Sequence, residues 1–181
     1  MKSHYSDPSK PQAAERRTLA IVVDNEPGVL ARIAGMFSGR GYNIESLTVS
    51  ETEHEKHLSR ITVVTRGTPQ VIDQIKAQLD RLVPVHRVVD LTISGVAIER
   101  ELALVKVAQE GATRSEHRME ALRLATAFNA RTVDATLNSF IFEMAGTSDD
   151  VERFVSLMGQ IGLVEVARTG IAAITRGAEG L

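Results

Sequence analysis

The residue types that could support chemistry are few and lie in three short segments. In the first, ETEHEKH, His54 and His57 have the HxxH spacing of a metal-ligand pair. Strand-like segments flank this stretch, so we interpret it as a hydrated hairpin turn. In the second, Glu116, His117 and Glu120 lie on one side of a predicted helix and could hold a cation weakly, although a solvated helix face is the expected role. The five histidines are scattered and form no catalytic constellation.

The third segment, DNEPGVLARI, joins a predicted strand to a predicted helix and is the best candidate for a binding site. Its chain turns through Asn25 and Gly28, so amide N–H groups near Gly28, Val29 and Leu30 should lack acceptors within the helix. Such a terminus attracts an anion such as a carboxylate, and the Asn25 amide can both donate and accept. A turn with Asn, Pro and Gly is also ordinary structure, so spacing alone leaves ligand binding open. Asn43, which begins the next predicted strand, is ambiguous in the same way.

The composition excludes several classes of protein. The chain has 181 residues, 43% of them apolar, and a formal charge of -2, with five Phe, two Tyr and no Trp. This near-neutral, aromatic-poor composition argues against a nucleic-acid-binding protein. The absence of cysteine excludes a disulfide framework, a thiol nucleophile and Cys-ligated zinc, and favours a reducing, cytoplasmic setting. No GxxxxGK, GxSxG or GxGxxG motif and no apolar run of membrane-spanning length is present.

The elements that must position these residues follow from hydrophobic periodicity. Strand-like runs at TLAIVVDN, YNIESLTVS, LSRITVVTR and VPVHRVVDLT alternate with two helical patterns in the order βαββαβ. The second half repeats this order less clearly, and its first helix is predicted to bury Met119, Leu122 and Ala125 on one face. The helical patterns rest on residues at intervals of three and four: Val29, Ile33, Met36 and Phe37; Ile72, Ile75, Leu79 and Leu82; Val151, Phe154, Val155 and Met158.

Two copies of βαββαβ predict an α+β fold class with two tandem ferredoxin-like domains. Each should be a four-stranded antiparallel sheet with both helices on one face. We expect a disordered tail over 1–17, a first domain over 18–93 and a second domain over 98–177. Ser94 and Gly95 make the short linker between the domains.

Several predicted strands carry apolar residues on both faces, which favours self-association. The runs over 19–23 and 102–105 lack the alternation of a sheet with one solvated face. Domains of this size are also marginal alone and leave edge strands open to pairing. We therefore predict a homodimer or a higher oligomer whose sheets meet edge to edge or face to face.

The stretch DNEPGVLARIAGMFSGRGYNIESLTVS resembles the ACT domain that opens the small, regulatory subunits of acetolactate synthase (acetohydroxyacid synthase). That family's pattern is approximately N-x-x-G-[AV]-L-x-R-[IV]-x-x-[LM]-F-x-x-R-G-[YF]-N-I-x-S-L-x-V. Every fixed position is met between Asn25 and Val49, including Arg32, Phe37 and Arg40. The resemblance continues through segments such as RELALVKV and FEMAGTSDDVERFV and covers roughly residues 18 to 177.

The resemblance implies a chain with no active site of its own. In this family the small subunit binds a large catalytic subunit, which carries thiamine diphosphate, Mg²⁺ and FAD and condenses two 2-oxo acids on the route to valine, leucine and isoleucine. The small subunit raises that activity and confers feedback inhibition, typically by valine. No cofactor and no metal are therefore expected on this chain, and no nucleic acid or membrane among its partners.

The resemblance also implies an effector site between paired ACT domains. Asn25, Gly28, Val29 and Leu30 would come from one protomer, and Asn43 with Ile44 from the other. Helix-end amides would take the carboxylate of an amino acid, and the asparagine side-chain oxygens would accept from its ammonium group. The three apolar side chains would enclose its aliphatic part.

Two other classes of function stay open at the level of the sequence. One is a free-standing ACT-type amino-acid sensor that regulates transcription or another enzyme, although the polar tail cannot supply a helix-turn-helix. The other is an autonomous enzyme, which only the weak groupings of His and Glu residues support. Valine, leucine and isoleucine cannot be told apart as effectors by inspection, because one methylene changes affinity by only about 1 to 3 kcal/mol.

Overall fold

The computed structural model describes residues 13–53, 57–93, 97–108, 114–178 and 180. The chain divides into two compact units. Unit 1 runs up to residue 96 and includes residues from 177 onward, and unit 2 is Ala97–Arg176. Across the described residues, no helix is both long enough and apolar enough to cross a membrane.

Unit 1 has the predicted order βαββαβ. Its sheet is antiparallel with strand order β2-β3-β1-β4, which is the ferredoxin-like arrangement and confirms the predicted fold class. The elements of unit 1 are β1 (Glu15–Asp24), α1 (Val29–Gly39), β2 (Ile44–Glu53), β3 (Leu58–Gly67), α2 (Pro69–Leu79) and β4 (Val85–Asp90).

The core of unit 1 lies between one face of this sheet and both helices. The odd-numbered residues of β1 from Leu19 to Val23 point into it, as the period of two in a strand requires. They meet residues at helical spacing, such as Ile33 and Phe37 of α1 and Ile75 of α2, which are fully buried. This packing fixes the axis of α1, and with it the position of the loop that precedes the helix.

The start of β1 differs from the prediction of a tail over 1–17. Glu15 already pairs with Gly67 of β3, and the antiparallel register continues without a break to Asp24 and Leu58. The three residues Glu15–Arg17 therefore belong to the first strand. Hydrophobic periodicity did not indicate this extension, because Glu15, Arg16 and Arg17 are polar and the exposed end of a strand needs no apolar residues. Residues 1–12 lie outside the described part of the chain.

Unit 2 repeats the order and adds a strand. Its sheet has the order β6-β7-β5-β8, and β9 pairs with the first four residues of β5. The prediction of four strands is therefore one strand short for this unit. The elements of unit 2 are β5 (Ala97–Ala108), α3 (Arg114–Ala127), β6 (Arg131–Ala135), β7 (Ser139–Gly146), α4 (Ser148–Gly159), β8 (Leu163–Arg168) and β9 (Ala172–Thr175).

The buried face of α3 is not the one predicted. Ala121, Leu124 and Ala125 pack into the core of unit 2, whereas Met119 and Leu122 are 69% and 37% exposed. The prediction was right for Ala125 and wrong for the other two side chains. Leu124 is therefore the large side chain of the buried face, with Ala121 and Ala125 beside it.

Candidate functional site

The loop between β1 and α1 is held by hydrogen bonds to two neighbouring strand ends. The amide N–H of Asp24 donates to the Pro84 carbonyl at 3.0 Å, and that of Asn25 donates to the His57 carbonyl at 2.7 Å. A further bond joins the Glu26 amide to the Asp24 carbonyl at 3.0 Å. These bonds fix the loop backbone and leave the Asn25 side chain exposed to solvent.

The N-terminus of α1 is open. Its N-cap, Gly28, has φ 90° and ψ −8°, forms no side-chain cap and is followed by no acidic residue in the first turn. The Val29 amide reaches the Glu26 carbonyl at 3.4 Å, beyond the usual length of a good hydrogen bond. Among the described residues, no backbone carbonyl accepts from the amides of Leu30 and Ala31. This terminus can therefore donate to an external anion.

Helices α2 and α4 show the contrast, because their N-termini are capped from within the chain. The Thr68 hydroxyl accepts from the Val71 amide at 3.4 Å, and the Thr147 hydroxyl accepts from the Asp150 amide at 3.2 Å. The Thr147 hydroxyl also donates to the Asp150 carboxylate, which lowers the pKa of Asp150, and the Arg153 guanidinium lowers it further. An internal carboxylate thus occupies the N-terminus of α4, and α1 has no equivalent.

The three apolar residues of the predicted site have different environments. Val29 is only 4% exposed and packs in the core of unit 1, and Ile44 is half-buried against the same core. Leu30, in contrast, is 42% exposed beside the open helix terminus. Within one chain, Leu30 is thus the apolar side chain most available to a ligand, and contacts from Val29 and Ile44 stay a prediction.

The predicted site residues lie at opposite ends of α1. Asn43 follows the helix, where its carbonyl accepts from the Thr65 hydroxyl at 2.6 Å and its side chain is exposed. Asn25 and Gly28 precede the helix, whose 11 residues span about 16 Å. One chain therefore does not bring the two asparagines together. A site that uses both would have to take them from two copies.

The histidine and glutamate groupings gain no support as metal sites. His54 lies outside the described residues, and His57 is exposed, with φ 51°. On α3, Glu120 bonds to Arg123 at 2.5 Å, and this hydrogen bond lowers the pKa of Glu120. No group of three or more metal-ligating side chains is found in the part of the chain that the structure describes.

One polar contact near the loop was not predicted from the sequence. His86, at the start of β4, has its Nε2 atom 2.6 Å from Asp24 Oδ1 at the end of β1. The two residues are 62 positions apart, and only the antiparallel pairing of β1 with β4 brings them together. No local pattern in the sequence could have indicated this pair.

Two α+β units, each an antiparallel sheet with helices packed on one face, place the chain in the class of tandem ACT-like proteins. Residues 19–87 match the family described as the AHAS small subunit-like ACT domain, and residues 100–177 match the small subunit of acetolactate synthase.

Curated relatives extend this match over most of the chain. A probable acetolactate synthase small subunit of Archaeoglobus fulgidus is 46% identical over 162 residues, covering 90% of this chain and 98% of the relative. The small subunit of isozyme 3 from Salmonella typhimurium is 41% identical over 163 residues, covering 90% and 96%. The crystal structure of the Thermotoga maritima small subunit superposes with a TM-score of 0.81 at 34% identity, covering 91% of this chain and 99% of that one. The chain belongs to the family of acetolactate synthase small subunits.

Proposed function

We propose that this chain regulates a thiamine-diphosphate-dependent large subunit of acetolactate synthase, raising its activity and conferring feedback inhibition by valine. Catalysis would take place on the large subunit, and this chain would contribute the effector site. The names of the relatives support a large partner. The cysteine-free sequence supports a cytoplasmic setting.

The observation that carries the proposal is the open N-terminus of α1. Its unpaired amides and the positive end of the helix dipole suit the carboxylate of an amino acid. The Asn25 side-chain oxygen is exposed beside it and can accept from the ammonium group, and Leu30 offers an apolar contact. These three features together suit a zwitterion with an aliphatic side chain.

A complete pocket would need a second copy of the chain. Asn43 and Ile44 lie about 16 Å away along α1, so they would serve the site of a partner in a dimer of unit 1. The long strand β2, which starts at Ile44, lies at the edge of the sheet that the described residues form and could extend across such a dimer. Binding of the effector would then stabilise the dimer, because only the dimer holds the full site.

Titration calorimetry with valine, leucine and isoleucine tests the proposal. Valine should bind, and Asn25→Ala should weaken its binding about tenfold, since the variant loses a hydrogen bond to a charged group. Asn138→Ala is the matched control, because Asn138 is an exposed asparagine in unit 2.

Activity of the large subunit provides the second measurement. The wild-type chain should stimulate it and make it sensitive to valine, and Asn25→Ala should reduce the sensitivity while stimulation survives. Valine and the large subunit should also change each other's affinity by the same factor. A chain that binds none of the three amino acids, or that fails to stimulate its large subunit, would refute the proposal.

A further inference from the structure

A groove of about 570 Å³ lies between α1 and α2 on the helical side of unit 1. It is separate from the open N-terminus of α1, because its lining comes from the C-terminal ends of α1 and α2 and from the residues that directly follow them. Met36 and Leu82 supply the apolar part of the lining, and both are half-buried. The other lining residues are Gly35, Gly39, Arg40, Gln78 and Arg81.

Two of the lining residues are glycines that the fold of this chain does not require. Gly35 lies inside α1 and Gly39 ends it, one helical turn apart and on the same side. A Cβ atom added to either would meet no atom within 4 Å, and neither residue has a positive φ. Glycine is a poor helix former, so these positions weaken α1 without relieving any crowding inside the chain. They do let another backbone approach the helix closely.

The charged residues of the groove are all basic. Arg40 and Arg81 are exposed, and neither forms an ion pair with any residue in the described ranges. Helix α1 itself carries no carboxylate, and its single charged residue, Arg32, is another arginine. The groove therefore presents an apolar strip flanked by unpaired guanidinium groups, which bind carboxylates with two parallel hydrogen bonds.

We propose that this groove docks an acidic segment of the acetolactate synthase large subunit. The inference rests on the proposed function, which gives this chain a large partner, and it assigns a surface to that partner. Carboxylates of the segment pair with Arg40 and Arg81, and its backbone passes over Gly35 and Gly39. The apolar side chains of the segment cover Met36 and Leu82.

Variants that fill the groove or reverse its charge test this surface in the complete chain with its cognate large subunit. The double variant Gly35→Gln, Gly39→Gln should weaken the complex about tenfold or more, which is the range for central interface positions. Its control is Gly159→Gln, at the last residue of α4, where an added Cβ also meets nothing within 4 Å. Arg81→Glu should weaken the complex too, by a factor that shrinks with added salt, whereas the exposed Arg87→Glu on β4 should not.

Affinity for the large subunit is measured by calorimetry, with the melting temperature and the valine affinity of the isolated chain as companion readouts. The groove variants should keep the valine affinity, because they lie away from the helix terminus, and should not lower the melting temperature, because replacing a helical glycine preserves or improves helix propensity. Wild-type affinity in the groove variants would overturn the inference and leave the proposed function intact. A wild-type chain that neither binds nor stimulates the large subunit would overturn both. Light scattering on the isolated chains compares the oligomer mass of the groove variants with that of the wild type. A different mass in the variants would assign the groove to a second copy of the chain and also overturn the inference.

Discussion

The free energy of unfolding should change in opposite directions when alanine replaces Gly28, the N-cap of α1, and Gly35 in the interior of the helix. Gly28 has φ 90°, where an L-residue is strained, while Gly35 has ordinary helical geometry in the same helix. An added Cβ meets no atom within 4 Å at either position, so steric crowding does not contribute at either one. The stability change should therefore come from backbone conformation alone.

The magnitudes follow from that conformational difference. Gly28→Ala should lower the free energy of unfolding by about 1 to 2 kcal/mol, the cost of a left-handed conformation for an L-residue. Gly35→Ala should raise it by about 0.5 to 1 kcal/mol, because alanine loses less entropy in a helix. Gly28→Asn should fall between wild type and Gly28→Ala, since asparagine tolerates the left-handed region better than alanine does.

Urea unfolding at one fixed protein concentration measures these differences, because self-association would otherwise shift the apparent stability. The slope of the transition should match between variants, so that the midpoint reports stability alone. Equal effects of alanine at both positions would refute the reasoning. So would a Gly28→Asn variant that is less stable than Gly28→Ala.

Two further predictions concern unit 2. The Glu101 side chain is only 4% exposed and bonds to Arg168. Arg168→Leu should therefore lower the free energy of unfolding by about 2 to 3 kcal/mol, because it leaves a buried carboxylate unpaired. Urea unfolding measures this cost, and Glu101→Gln in the same chain should recover part of it; no recovery would contradict the pairing argument. The pKa of Asp150 is lowered by the Thr147 hydroxyl and then by Arg153, so its stabilising effect is full above the ordinary value of 3.8 and is lost as the pH falls through the folded-state pKa. The stability difference between wild type and Asp150→Asn, followed by thermal unfolding, should be largest near neutral pH and shrink below about pH 4. A stability difference that grows in acid would contradict a lowered pKa of Asp150.

Periodicity predicted the elements of unit 1 because its core positions are filled by large aliphatic and aromatic residues. Each helix buries its large apolar residues on one face only, so their spacing in the sequence reveals that face. The residues are Ile33 and Phe37 in α1 and Ile72 and Ile75 in α2. In α3 the same approach chose the wrong face. Ala121 and Ala125 are ambiguous in a sequence, because alanine is stable both in a core and in water.

The ninth strand escaped prediction for a different reason. Ala172–Thr175 is only four residues long, and its pairing with β5 depends on residues more than 70 positions earlier in the chain. A strand this short carries no readable alternation, and long-range pairing leaves no local trace.

The candidate site was only partly readable from the sequence. The turn residues and the helix start indicated an open terminus at Gly28, and the structure places it there. The sequence could not show that Val29 belongs to the core while Leu30 is exposed, because adjacent residues of a helix differ by about 100° in direction. Residue spacing alone did not separate Asn25 from Asn43, because their distance depends on the length and direction of α1, and only the resemblance implied that they belong to different protomers.

The added strand β9 places the two ends of unit 2 next to each other. Its pairing with β5 sets Thr175 opposite Ala97, so the unit begins and ends at adjacent points, about 5 Å apart. A unit whose two ends lie close together tolerates insertion into a loop of another protein, and it tolerates circular permutation, with little strain on its sheet. The final strand thus brings the first and last residues of unit 2 side by side in one sheet.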